Sequence, residues 1–138
     1  MSRVVKVGFD IGGVLSKYPD LLRPVVAALA ASPEVEVHVL SDMHPHEKCV
    51  DWVIARNGFD VLPERIHSCD YSLHGEECKA VKAREIGLDV LVDDFPGYVA
   101  TLGAPALRLL SMPDPTRDYY HESWNTDGSE GNFGRRRR

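Results

Sequence analysis

Short apolar runs rich in β-branched residues alternate with helix-like segments along the first 110 residues, and this alternation constrains the fold more than any other feature. The predicted strands are Val4–Asp10, Val35–Leu40, Ile66–Cys69, Leu88–Val92 and Ala106–Leu110. The predicted helices are Leu21–Ala31 with Asp20 as its cap, Glu47–Asn57, Glu76–Ile86 and a short Phe95–Leu102. Strands that alternate with helices favour a parallel sheet with right-handed crossovers. We therefore expect an α/β domain with a mainly parallel sheet.

Polar residues stand where three of the predicted strands end: Asp10, Ser41 and the pair Asp93–Asp94. In a parallel α/β sheet the ligand lies beyond the carboxyl ends of the strands. Clustered carboxylates repel one another unless a cation neutralises them, and an all-oxygen ligand set favours a hard ion such as Mg²⁺. Asp10 would then face a metal-bound phosphate as a nucleophile, while the Ser41 hydroxyl and the Lys79 ammonium hold phosphoryl oxygens. The pattern predicts phosphoryl transfer through an aspartyl-phosphate.

The same residues fall in four segments that resemble the motifs of the haloacid dehalogenase-like (HAD) superfamily. Phe9–Leu15 resembles the first motif, an apolar strand followed by Asp-x-Asp-Gly-Thr/Val, and Val37–Ser41 resembles the second. Lys79 matches the lysine of the third motif, and Leu88–Asp94 resembles the fourth, an apolar strand ending in paired acids. The four segments come in the family's order within residues 4–110. More loosely, Glu47–Gly58 resembles the nucleotidase-like branch.

This resemblance implies a role for each matching residue. Asp10 would be the nucleophile and a metal ligand, and Asp93, Asp94 and the backbone carbonyl of Gly12 would bind the Mg²⁺. Ser41 and Lys79 would be catalytic and would contact the phosphoryl group. The implied substrate-binding residues are Gly13, Ser41, Asp42 and Lys79. Lys82, on the same predicted helix, is the alternative to Lys79, since a solvated lysine is the ordinary case.

The resemblance also implies a Rossmannoid three-layer sandwich with a central, mainly parallel five-stranded sheet. Only 30 residues separate Asp10 from Ser41, and only 37 separate Ser41 from Lys79. Neither interval has room for an inserted cap domain. We therefore expect a capless domain whose site is open, unless the C-terminal tail or a second subunit covers it.

One position departs from the family pattern. Gly12 stands where the second Asp of the first motif, the general acid/base of the phosphatases, is expected. Glycine can offer its carbonyl to a metal but cannot transfer a proton, and general acid–base catalysis commonly contributes about 10²–10⁴-fold. Asp42 and His44 are the nearest candidates for that proton transfer.

The leading hypothesis is a Mg²⁺-dependent phosphohydrolase that acts on a phosphomonoester, either a nucleotide or another small phosphorylated substrate. The alternative, which Gly12 favours, is a catalytically impaired binding or regulatory protein of the same fold. Dehalogenase chemistry is a third hypothesis. It needs no metal ion, so the paired acids Asp93–Asp94 would have no function under it.

The composition limits which binding partners and which cellular compartment we expect. The net charge is −5, and it is −9 without the four C-terminal arginines, so a broad nucleic-acid-binding face is not expected. Three irregularly spaced cysteines favour a reducing, cytoplasmic location. The longest uncharged stretch, 95–107, is too short to span a membrane. A homo-oligomer is left open.

The chain divides into a predicted core over residues 1–110 and an irregular tail over residues 111–138 whose end we expect to be disordered. The run Arg135–Arg138 fits either an RNA or acidic partner or a simple solvated tail. His44 and His46 form a His-Pro-His sequence that, with His67, Cys69 and His74, makes a zinc site the minor alternative to the Mg²⁺ site.

Overall fold

The computed structural model describes residues 3–103 and the backbone of residues 107–110, and a parallel sheet lies at its centre. Four strands have their side chains described: β1 (Val5–Phe9), β2 (Val35–Ser41), β3 (Ile66–Ser68) and β4 (Val90–Asp93). The backbone of a further strand, β5 (Leu107–Leu110), pairs with β4. The strand order is β3-β2-β1-β4-β5, and every pairing is parallel. The predicted α/β architecture with a parallel sheet is confirmed.

Helices connect the strands. They are α1 (Pro19–Ala31), α2 (His46–Val50), α3 (Tyr71–His74), α4 (Cys78–Ile86) and α5 (Pro96–Ala100). A π-helical segment, Asp51–Arg56, continues α2, and 3-10 turns cover Pro63–Arg65 and Gly75–Glu77. A tight turn, Ile11–Leu15, joins β1 to α1.

The first helix begins earlier than the sequence pattern indicates. Tyr18, not Asp20, is the residue before its first turn, and Pro19 opens the helix, where the fixed φ of proline fits and its missing N–H costs nothing. Asp20 lies in the first turn, and Pro24 lies inside the helix rather than at its start. The prediction that Asp20 caps this helix is therefore wrong.

Alternation of side chains along the strands separates the buried apolar residues into two clusters. Phe9 and Val39, which are paired across β1 and β2, belong to the cluster that includes Val26 of α1. Leu40 and Leu91 belong to the second cluster, with Ala80 and Ala83 of α4 and Tyr98 of α5. The helices therefore flank the sheet, and α4 and α5 pack on the face that Leu40 and Leu91 share.

Residues 111–138, where the tail was predicted, and Ala106, the first residue of the last predicted strand, lie outside the described residues. Within the described part of the chain, every helix is too short or too polar to cross a bilayer.

Candidate functional site

Three carboxylates meet at the carboxyl ends of β1 and β4, which are neighbours in the sheet. Phe9 pairs with Val92, so Asp10 and Asp93, the next residue along each strand, lie side by side. The amide of Asp10 donates to the carbonyl of Val92 at 3.0 Å, which continues the pairing to the strand end. Asp94 follows directly, and one oxygen from each of the three acids lies within 4.8 Å of the others. The structure thus brings together the acids that the sequence pattern predicted would converge.

Lys79 of α4 binds two of these acids. Its Nζ lies 2.6 Å from Oδ1 of Asp10 and 2.6 Å from Oδ2 of Asp93, and its side chain is fully buried. Burial lowers the pKa of Lys79, but the negative charges of Asp10, Asp93 and Asp42 outweigh this effect and raise the pKa above its ordinary value. Lys79 is therefore a permanent cation. Lys82 instead lies on the outer part of α4 and pairs with Glu85 at 2.9 Å.

The cluster is rich in buried acids. Asp10, Asp42, Asp93 and Asp94 are each at most 1% exposed, and Lys79 forms ion pairs with Asp10 and Asp93. Burial, and then the charge of Asp10, raise the pKa of Asp93 to about 7, although Lys79 and the amide of Phe95 act in the opposite direction. Near neutral pH this carboxyl therefore stays partly protonated unless another cation balances it.

The donor atoms fit a hard divalent cation. Oδ2 of Asp10 is buried and has no hydrogen-bond partner among the described residues, and an unsatisfied buried polar group costs about 1–3 kcal/mol. Three clustered carboxylates, with a backbone carbonyl at the buried Gly12 nearby in the chain, form an all-oxygen ligand set of the kind that Mg²⁺ prefers. Asp10, Asp93, Asp94 and Gly12 are the residues that would hold the ion.

Gly13 shapes the turn beside these acids. Its φ of +77° is in the left-handed region, and the carboxylate of Asp94 occupies the space that a Cβ at this position would fill. Its amide, predicted to bind substrate, donates to Oγ of Ser16 at 3.1 Å. In this structure Gly13 therefore allows Asp94 to approach the turn rather than presenting a free N–H.

Ser41 and Asp42 turn to opposite sides of β2. Oγ of Ser41 accepts a hydrogen bond from the amide of Met43 at 3.0 Å, on the side of β2 that carries Val39. Asp42 accepts a hydrogen bond at 2.6 Å from Oη of Tyr98, which belongs to the second apolar cluster. Contact between Ser41 and a phosphoryl group stays a prediction, whereas Asp42 faces the side of the sheet that carries Lys79.

Tyr98 is a site residue that the sequence analysis missed. Its buried ring lies 4.5 Å from Nζ of Lys79 while its hydroxyl binds Asp42, so one side chain contacts both the buried cation and a buried acid. The available signal in the sequence was a tyrosine in the short predicted helix that directly follows the paired acids Asp93–Asp94. Its meaning depends on how α5 rotates against α4, which the sequence pattern does not reveal.

The site is buried. The acids and Lys79 are each at most 1% exposed. The whole turn Ile11–Leu15 is buried beside them, and Phe95 and Tyr98 pack in the same region with ring centroids 4.9 Å apart. The interval lengths predict an open site unless the C-terminal tail or a second subunit covers it, and the tail lies outside the described residues.

The predicted histidine and cysteine ligands do not form a zinc site within residues 3–103. His44 contacts Oγ of Ser68 at 2.9 Å, His46 contacts the carbonyl of Ile66 at 2.7 Å, and His67 contacts His38 at 3.0 Å. Burial raises the pKa of the Cys69 thiol, which disfavours the thiolate that zinc requires. Among the described residues, the one group of three acid, histidine or cysteine side chains close enough to share an ion is Asp10, Asp93 and Asp94.

Comparison of the chain with protein-family models, curated proteins and solved structures found no match in any of the three.

Proposed function

We propose that this chain is a Mg²⁺-dependent phosphohydrolase of the HAD-like kind, which hydrolyses a small phosphomonoester through an aspartyl-phosphate on Asp10. The observation that carries the proposal is the buried cluster in which Lys79 bridges Asp10 and Asp93, with Asp94 alongside, at the carboxyl ends of two neighbouring strands. The fold that we propose with it is a capless Rossmannoid three-layer sandwich with a five-stranded sheet. We propose the cytoplasm as its location.

The chemistry follows from the groups around Asp10. Lys79 holds Oδ1 of Asp10 and so fixes the carboxylate in one orientation. An oxygen of Asp10 forms a bond to phosphorus as the phosphorus–oxygen bond of the ester breaks, and the leaving alcohol takes up a proton. Water then attacks phosphorus, loses a proton, and releases phosphate as the bond to Asp10 breaks. The Lys79 ammonium stabilises the charge that develops on the transferred group.

A divalent cation bound to Asp10, Asp93, Asp94 and the carbonyl of Gly12 would supply charge neutralisation, which allows a phosphate dianion to approach an acidic site. Because Asp10 is buried, a substrate reaches it only after neighbouring residues move. The turn Ile11–Leu15, which contains two glycines, is the nearest segment of irregular backbone.

The second candidate is a binding or regulatory protein that keeps the fold and the metal site without turnover. Two observations favour it: Gly12 provides no proton-carrying side chain, and the acids are buried. Under this reading the cation would stabilise the fold and the site would not act on phosphate esters.

Hydrolysis of an aryl phosphate by the full chain tests the proposal, since a good leaving group needs no proton donor. We expect turnover that requires Mg²⁺ and stops on chelation. Asp10→Asn should reduce it at least about a thousandfold, because the amide cannot act as the nucleophile. Asp51→Asn, at an exposed acid beyond α2, is the matched control and should keep wild-type turnover. Binding of Mg²⁺ without hydrolysis of any phosphate ester would establish the binding-protein reading instead.

A further inference from the structure

Gly12 leaves the proposed reaction without its usual proton carrier, and the neighbouring strand carries another acid at its end. Phe9 of β1 pairs with Val39 of β2. Asp10 follows the end of β1, and Asp42 follows the end of β2. The chain therefore provides a further carboxylate at the same edge of the sheet as the proposed nucleophile.

Asp42 belongs to the same buried group as the nucleophile. It is 1% exposed, and Tyr98, which binds it, also packs on Lys79, whose ammonium contacts Asp10 at 2.6 Å. It is not one of the three acids that are close enough to share a metal ion. Asp42 therefore lies near the reacting groups while remaining outside the set that would bind the cation.

Tyr98 fixes the position of Asp42. The phenol donates to Oδ2 of Asp42 at 2.6 Å. The ring of Tyr98, itself fully buried, packs against Lys79 and stands edge-on to Phe95. The same side chain thus sets the distance between the acid at the end of β2 and the cation that orients Asp10.

His44, the other candidate for proton transfer, faces elsewhere. Its side chain is exposed, and its Nδ1 lies 2.9 Å from Oγ of Ser68 at the end of β3. Within the described residues, its contact is therefore with the edge strand β3, whereas Lys79 contacts Asp10 and Asp93.

We propose that Asp42, positioned by Tyr98, is the proton-transfer residue of this site and takes the place of the carboxylate absent at Gly12. This inference rests on the proposed phosphohydrolase function. As a carboxylic acid, Asp42 gives its proton to the ester oxygen while the phosphorus–oxygen bond breaks and the bond to Asp10 forms. As a carboxylate, it takes a proton from the water that attacks phosphorus while the bond to Asp10 breaks. Each cycle therefore returns Asp42 to its starting state.

The test compares two esters on the full, Mg²⁺-loaded chain: an alkyl phosphate, whose leaving oxygen needs a proton, and an aryl phosphate, whose leaving oxygen does not. Asp42→Asn should lower kcat on the alkyl phosphate by about 10²–10⁴-fold. It should lower kcat on the aryl phosphate by less than about tenfold, and KM should change little for either ester.

Tyr98→Phe gives a second variant that keeps the ring over Lys79 and removes the hydroxyl that donates to Asp42. We expect it to lower kcat on the alkyl phosphate by about tenfold and to leave kcat on the aryl phosphate within about twofold. Tyr18→Phe, which removes a phenol hydroxyl from a half-buried position before α1, is the matched control and should change neither rate. Melting temperatures of all three variants identify any loss of folding.

An equal loss on both esters, or no loss on either, would overturn the role of Asp42, because a structural defect does not distinguish leaving groups. If Asp42→Asn does not fold, the difference between esters must still be present in Tyr98→Phe, and its absence there would overturn the inference. Wild-type protein that hydrolyses neither ester would instead refute the proposed function itself, so the two failures are distinguishable.

Discussion

Gly13 is fixed by two independent constraints at the edge of the site. Its φ of +77° lies in a region that L side chains avoid at a cost of about 1–2 kcal/mol. The carboxylate of Asp94 also fills the place of a Cβ, so a side chain at position 13 would displace a proposed metal ligand. Position 13 therefore requires glycine for two reasons: its backbone conformation, and the packing of the Asp94 carboxylate against it.

Gly13→Ala should lower the free energy of unfolding by roughly 2–4 kcal/mol, the sum of backbone strain and overpacking. Gly58→Ala is the control, since Gly58 has a similar φ of +65° but nothing within 4 Å of its Cβ position. It should cost only the strain, about 1–2 kcal/mol. Urea denaturation in metal-free buffer measures both. Equal losses of unfolding free energy in the two variants would show that the Asp94 side chain can move away without cost and that its position is not tightly fixed.

The pairing of β2 with β3 places two histidines together. Nδ1 of His38 lies 3.0 Å from Nε2 of His67, and Nε2 of His38 lies 2.8 Å from Glu36. Burial lowers the pKa of both rings. The pKa of His67 falls to about 4, and the charge of His38 is the second cause of that shift. The folded protein therefore holds this pair neutral, and protonation of His67 favours the unfolded chain.

The sign of the resulting pH dependence follows from that lowered pKa. The stability that neutral His67 contributes is fully present above about pH 6.5, its unfolded value, and is lost as the pH falls towards 4. Allowing for the partial exposure of the ring, the loss is on the order of 1–2 kcal/mol. His67→Gln should remove this loss, so its free energy of unfolding should fall less than that of the wild type between pH 7 and pH 4.5.

His74→Gln is the control for this measurement, because His74 lies exposed on α3. It should keep the wild-type dependence of the free energy of unfolding on pH. A His67→Gln curve parallel to the wild-type curve would mean that the ring protonates without cost and that the β2–β3 edge does not hold it neutral.

At the scale of the whole molecule, the buried cluster of three carboxylates predicts that the melting temperature depends on divalent cations. A ligand that binds only the folded state at 100 times its Kd adds about 2.7 kcal/mol, which is several degrees in melting temperature for a domain of this size. We expect the melting temperature to rise with millimolar Mg²⁺ and to return on chelation. The double variant Asp93→Asn/Asp94→Asn should lack this rise, because it removes two of the three clustered carboxylates.

The exposed pair Asp51→Asn/Asp60→Asn removes the same formal charge far from the cluster and should keep the wild-type response to Mg²⁺. A rise of equal size in both double variants would place the cation somewhere other than the ends of β1 and β4.

Much of the architecture could be predicted because strands and helices are encoded locally. The β-branched runs ending at Asp10 and Asp93 were predicted to be strands of a parallel sheet, and the pairing of β1 with β4 brings both acids to one edge. The convergence of Asp10, Asp93 and Asp94 needed nothing beyond this pattern. The start of α1 was wrong because proline and aspartate signals overlap at Pro19–Asp20, and either suits a first turn.

Other features were decided only by tertiary structure. The sequence alone left Lys82 as the alternative to Lys79, since both lie on one helix, and only the rotation of α4 against the sheet buries the first fully and leaves the second half-buried and paired with Glu85. Rotation of α5 likewise brings Tyr98 to Asp42, and strand register sets His67 on His38 rather than on a metal. Periodicity along the chain determines which segments are strands and helices. Contacts between side chains of different elements depend on how those elements pack against each other. The burial of the site residues depends on this packing as well.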